Sequence, residues 1–136
     1  MQRSDAGRSI EIRAESDLIL ARQSCRELAG DLGFSRPDQA LIATATSELT
    51  RNILRYAIRG VIHARCPMHH GRLGIEIIAK DDGPGIVDVE AAMEDGFSTG
   101  KSLGLGLPGT KRIMDEFAIN TAPGQGVEVR ATKWRE

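Results

Sequence analysis

Apolar and polar residues alternate over residues 9–14, which predicts a short half-buried strand. Ser16 and Asp17 then offer an N-cap, and residues 18–32 carry apolar positions at helical spacing, with Gly33 placed to end the helix. A second helix is predicted from about Ser35, with Pro37 in its first turn and Asp38 complementing the helix dipole. Leu41, Ala45, Leu49, Ile53 and Tyr56 recur every three or four residues and mark its expected buried face, and Gly60 is expected to stop it. Residues 61–66 read as a short strand, residues 67–71 as a loop, and the apolar, β-branched run 73–79 as a central strand. After a Gly/Pro cluster, a short helix is expected over 87–93, a loop rich in Gly, Ser and Thr over 94–103, and a helix over 106–116. Strands over 117–121 and 127–134 close the chain, joined by a turn at residues 123–126.

Two long helices set among a meander of strands predict a two-layer α/β sandwich with the helices on one sheet face. The order does not alternate strand and helix, which argues against a dinucleotide-binding doubly wound sheet. A chain of 136 residues has the size of one domain with one core. Its formal net charge of −1 gives no general attraction to nucleic acid or an anionic membrane, and an aromatic content of 4% leaves little for base stacking. No apolar run reaches the roughly 18 residues of a membrane span, and residues 1–7 lack the apolar core of a signal peptide. Cys25 and Cys66 show no pairing signal, so a reducing, cytoplasmic setting is expected.

Three segments carry candidate chemistry. On the second helix Glu48 and Asn52 are four residues apart and share a face. A carboxylate and an amide oxygen together can hold a hydrated Mg²⁺ and a reacting hydroxyl; the same pair also suits the solvated face of any amphipathic helix. Asp81-Asp-Gly-Pro-Gly-Ile86 follows a predicted strand, where glycines permit close approach of a ligand and a carboxylate can accept an adenine amine. An acidic turn reads equally well there. Gly104, Gly106 and Gly109 form a G-x-G-x-x-G spacing at a helix start, suited to presenting backbone N–H groups to phosphates, or simply to a flexible loop. Lys101 does not complete a Walker A arrangement. His63, Cys66, His69 and His70 cluster along one stretch but match no usual zinc spacing. Lys111 and Arg112 suit a solvated helix face, and Trp134 a packing anchor for the last strand.

Taken in order, the Glu/Asn helix, D-x-G-x-G after a strand, and G-x-G-x-x-G opening a helix resemble the N, G1 and G2 boxes of the GHKL ATPase superfamily. With a single domain over residues 1–136 and no membrane segment, the resemblance is to its small serine-kinase branch. It implies a GHKL (Bergerat) sandwich with a mixed, mostly antiparallel sheet. It also implies a serine/threonine protein kinase using ATP and Mg²⁺ in a bacterial partner-switching pathway.

Residue by residue, the resemblance makes Glu48 the general base and Asn52 the Mg²⁺ ligand. Asp81 would contact the adenine amine, with Gly83, Gly85 and Ile86 beside the base. Phe97, Ser98, Thr99, Gly100 and Leu103 would belong to a lid over ATP, and Gly104, Leu105, Gly106 and Leu107 would line the phosphates. The implied substrates are STAS-domain proteins of the stressosome-scaffold kind, followed by binding to an output protein such as a PP2C-type phosphatase. An anti-sigma factor, or a nucleotide-gated binding module without significant kinase activity, is the alternative. The family often carries a threonine after a glycine just before the last strand, on the adenine side. Gln125 and Val127 follow the glycines here, which implies nucleotide binding weaker by one hydrogen bond, about 0.5–1.5 kcal/mol.

Overall fold

The computed structural model describes residues 7–57, 59–83, 106–121 and 124–136. The expected helix over 87–93, and Gly85, Ile86, Phe97, Ser98, Thr99, Gly100, Leu103, Gly104 and Leu105, lie outside the described residues. The elements in chain order are β1 (Arg8–Ile12), α1 (Glu15–Asp31), α2 (Arg36–Tyr56), β2 (Gly60–Arg65), β3 (Met68–His69), β4 (Arg72–Asp81), α3 (Gly106–Ile113), β5 (Glu116–Thr121) and β6 (Val127–Trp134). The sheet order is β1-β2-β4-β6-β5, with β3 paired to the start of β4. Every described pairing is antiparallel.

Strand alternation decides which face is dry. Ile10, Ile62, Ala79, Val129 and Ile119 stand side by side in one row across all five strands. The next row is Ala64, Ile77, Ala131 and Phe117. These rows join Ala21, Cys25, Leu28, Ile42, Leu49 and Ile53 of α1 and α2 in one core. Each fully buried isoleucine, such as Ile75 or Ile77, contributes about 1.5–3 kcal/mol. The opposite sheet face carries an ion ladder: Arg65 pairs with Glu76, Arg130 lies between Glu76 and Glu128, and Lys80 faces Glu128.

α1 starts one residue before Ser16, so neither Ser16 nor Asp17 is its N-cap. Ala14 holds that position, and Asp17 reaches back so that Oδ2 accepts from the N–H groups of Arg13 (2.8 Å) and Ala14 (3.0 Å). A carboxylate in the first turn thus satisfies donors that an alanine cannot. α2 begins as expected, with Ser35 Oγ accepting from the Asp38 N–H. Its buried stripe runs through Ile42, Ala45, Leu49 and Ile53, whereas Leu41 is only partly covered and Tyr56 is exposed. The helix stops at Tyr56 because Ala57 turns to an extended conformation; Gly60 lies inside the sheet, paired with Asp81. The loop expected at 67–71 contains a tight hairpin, with His70 and Gly71 both at positive φ between β3 and β4.

The end of β6 clasps the other layer. Lys133 Nζ donates to the Ile113 carbonyl at the end of α3. Arg135 Nη1 donates to the Leu32 carbonyl just beyond α1, while its own N–H bonds Leu73. Trp134 is held by its backbone N–H on Asp115 and its indole N–H on Glu116. Its ring covers Gly74, where an added Cβ would come within 2.6 Å of it.

Candidate functional site

The site is built around α2, whose polar residues run into the core. Thr46, Ser47 and Thr50 are buried, and each hydroxyl donates to the carbonyl four residues earlier, at 2.8, 3.0 and 2.8 Å. Glu48 cannot be satisfied that way. Its side chain is only 6% exposed, and a buried carboxylate needs partners to stay charged. It has two. Oε2 accepts from Arg51 Nη1 at 2.6 Å, and Oε1 accepts from the backbone N–H of Gly106 at 3.0 Å. The second bond brings the first residue of α3 against α2, so a side chain on one expected motif touches the backbone of another.

Asn52 lies one turn beyond Glu48 on α2, half-buried and without a side-chain hydrogen bond among the described residues. Leu107 of α3 packs into the core, which anchors the start of this helix behind Glu48.

Asp81 ends the central strand β4. Its Oδ1 accepts from the N–H groups of Gly83 (2.9 Å) and Val127 (3.2 Å). Oδ2 has no hydrogen-bond donor among the described residues, so it is open to an amine. Burial pushes the Asp81 carboxyl above its ordinary value, the two N–H groups oppose that shift, and the neighbouring charge of Asp82 adds to it. Two glycines make this arrangement possible. At Gly83 an added Cβ would come within 2.7 Å of the Tyr56 carbonyl. Gly126 has φ 77° and its Cβ would come within 2.2 Å of the Asp81 carbonyl, so only glycine lets the turn before β6 press against Asp81. Thr121 Oγ1 closes the same turn by donating to the Gly126 carbonyl at 2.6 Å.

The donor set suits a purine nucleotide and its metal: a carboxylate oxygen open to an amine at one end, and an amide oxygen beside a carboxylate at the other. Arg51 and the Gly126–Val127 backbone are absent from the residues singled out by pattern alone. The spacing Glu48-x-x-Arg51 was the available signal for the first; the second depends on a long-range strand pairing that no local pattern carries. His63 lies on β2 with Nδ1 2.6 Å from Ser9 Oγ, and Cys66 is buried. His69 meets His70 edge to face. Among the described residues no group of three or more His, Cys, Asp or Glu side chains is placed to hold a metal ion. Lys111 and Arg112 are exposed on α3. No helix among the described residues is long and apolar enough to cross a membrane.

Comparison with known proteins gives the same picture. Residues 10–133 match the model of the histidine kinase-like ATPase domain. The chain is 51% identical over 125 residues to the serine/threonine-protein kinase RsbT of Bacillus subtilis, covering 92% of this chain and 94% of that protein. It is 34% identical over 120 residues to the anti-sigma F factor of Caldanaerobacter subterraneus, covering 84% and 82%. The crystal structure of the RsbU and RsbW domains of a Mycobacterium tuberculosis protein superposes with a TM-score of 0.64 at 17% identity. That likeness, which shows the fold, takes in 95% of this chain and 33% of the longer one. The chain belongs to the histidine kinase-like ATPase domain family, among the RsbT-type serine/threonine kinases of partner-switching pathways.

Proposed function

We propose that this kinase transfers the γ-phosphate of ATP to a serine or threonine of a STAS-domain partner, and on release binds an output protein such as a PP2C-type phosphatase. One observation carries the assignment of roles: Glu48, nearly buried, lies one turn before Asn52 and against the first residue of α3. Phosphoryl transfer demands positioning and electrostatics more than covalent chemistry. The acceptor hydroxyl oxygen forms a bond to the γ-phosphorus as the bond from that phosphorus to the bridging oxygen breaks, and the electron pair leaves with ADP. Glu48 accepts the hydroxyl proton. Asp81 orients the nucleotide by accepting the adenine amine on Oδ2, while Gly83 keeps side-chain bulk away from the base. Asn52 would hold Mg²⁺, which supplies charge neutralisation on the phosphates. Phosphorylating the partner adds about two negative charges at the contact surface, which separates kinase from substrate by repulsion and desolvation. The setting is cytoplasmic on this reading.

The test is phosphotransfer from ATP·Mg²⁺ to STAS-domain proteins of the same organism, with Glu48→Ala and Asp81→Asn alongside. Labelled serine or threonine with the wild type, and almost none with either variant, is the expected result. The 34% identity to an anti-sigma F factor favours a second reading, a nucleotide-gated binding module or anti-sigma factor. ATP binding without transfer to any STAS protein would select it.

A further inference from the structure

The arrangement around Glu48 is poorly suited to a base that acts at once. A carboxylate accepts a proton best when it can turn an oxygen lone pair toward the donor, and here each oxygen already holds one partner that fixes the group's orientation: Oε2 holds Arg51 at 2.6 Å and Oε1 the Gly106 N–H at 3.0 Å. The two holds differ in kind. Gly106 is backbone at the start of α3, which is anchored in the core through Leu107. Arg51 is a long side chain, 43% exposed, whose guanidinium has open solvent to move into. Three residues on from Glu48, it shares the same helix face. A helix start suits a phosphate, so a phosphate arriving at the first residue of α3 would compete with Oε1 for the Gly106 N–H. Oε2 would then still be held by Arg51.

We propose that Arg51 is a positioning residue that restrains Glu48, keeping its carboxylate engaged so that water is a poor acceptor for the γ-phosphate. This rests on the reading of Glu48 as general base. Hydrolysis and kinase transfer share one step, differing in the oxygen that attacks phosphorus; in hydrolysis water gives its proton to Glu48 and the products are ADP and phosphate. Releasing Oε2 therefore raises hydrolysis by letting the carboxylate turn a lone pair toward the attacking water. It leaves the proposed adenine contact at Asp81, whose partners are Gly83 and Val127, untouched.

The experiment is steady-state ATP hydrolysis by the full chain with Mg²⁺ and no acceptor protein, for wild type, Arg51→Met, Arg51→Lys, Glu48→Gln and the Arg51→Met/Glu48→Gln double variant. Arg51→Met is expected to raise kcat by about 2–5-fold, the factor for a partly exposed pair worth about 0.5–1 kcal/mol, with KM for ATP little changed. Arg51→Lys is expected to fall between wild type and Arg51→Met, and the double variant to drop to the level of Glu48→Gln. A kcat at or below the wild-type value in both Arg51 variants overturns the restraint. Hydrolysis and phosphotransfer undiminished by Glu48→Gln overturn instead the underlying reading of Glu48. If melting shows Arg51→Met unfolded, Arg51→Gln, which keeps a polar end without the charge, is read in its place.

Discussion

Asp81 and Glu48 are both carboxylates set into partly dry surroundings, but one is held by backbone alone and the other partly by a side-chain cation. Asp81 takes two N–H groups on the same oxygen, from Gly83 and from Val127 across the sheet. Those donors are fixed by the fold, so the group presents one oxygen in one direction. Glu48 faces a fixed N–H on one side and the half-exposed Arg51 on the other. A recognition group gains from rigidity, because every bond it makes is ready before the ligand arrives. A group that must change protonation within one turnover gains from a partner that can leave. With the roles proposed above, the two ends of the site separate binding from chemistry, and substitutions should separate them too.

Glu48→Gln has the largest expected effect: phosphotransfer falls by about 10²–10⁴-fold while ATP affinity, measured by calorimetry, stays close to wild type. Loss of both together would merge the two ends of the site. Next comes Asp81→Asn. The amide oxygen can still accept from Gly83 and Val127, but a donor replaces the oxygen facing the amine. ATP affinity is expected to fall by about 10–100-fold, the loss of one charged hydrogen bond, with the fold intact by circular dichroism. Gly126→Ala attacks the backbone that holds Asp81. Its φ of 77° and its 2.2 Å approach to the Asp81 carbonyl should cost about 1–3 kcal/mol in urea denaturation and weaken ATP binding as well.

A pH series sharpens the comparison from the Asp81 side. Burial raises the Asp81 carboxyl in the folded protein, so the native state binds this proton more readily than the unfolded chain. Ionisation at this position therefore lowers stability, and the loss develops as pH rises from the ordinary carboxylate range through the raised value. Below that range the group is protonated in both states and contributes nothing. Denaturation of Asp81→Asn against wild type should show the variant gaining relative stability across that window, and the gap holding level above it. The smallest effect is expected far from both carboxylates: Arg130→Ala, in the ion ladder of the open sheet face, should change stability by no more than about 1 kcal/mol, and less in high salt.

The elements were largely legible because their periodicities are clean. β4 and β6 alternate or run apolar as strands must, and Ser35 with Pro37 marks the start of α2 in the ordinary chemistry of helix ends. Misreadings arose at element ends and in short elements, where periodicity is weakest. Asp17 looked like a cap and instead reaches back to Arg13 and Ala14. Gly60 looked like a helix stop and is a sheet residue opposite Asp81. Residues 67–71 looked like a plain loop because two residues of β3 are too few to show alternation. Glu48, Asn52 and Asp81, to which roles are proposed above, stand out by type and spacing. The contact between Glu48 and Gly106 joins positions 58 residues apart, and that of Asp81 with Val127 joins positions 46 apart. Such pairs are made by topology, and a single sequence carries no local trace of them.

The clasp at the end of β6 has a consequence for how the two layers stay joined. Lys133 and Arg135 hold the carbonyl ends of two different helices, and Trp134 is pinned between Asp115 and Glu116. Residues 133–135 thus carry, in one short stretch, the ties of two helix ends to the sheet. Opening that stretch would loosen the layer that carries Glu48 at both helix ends at once.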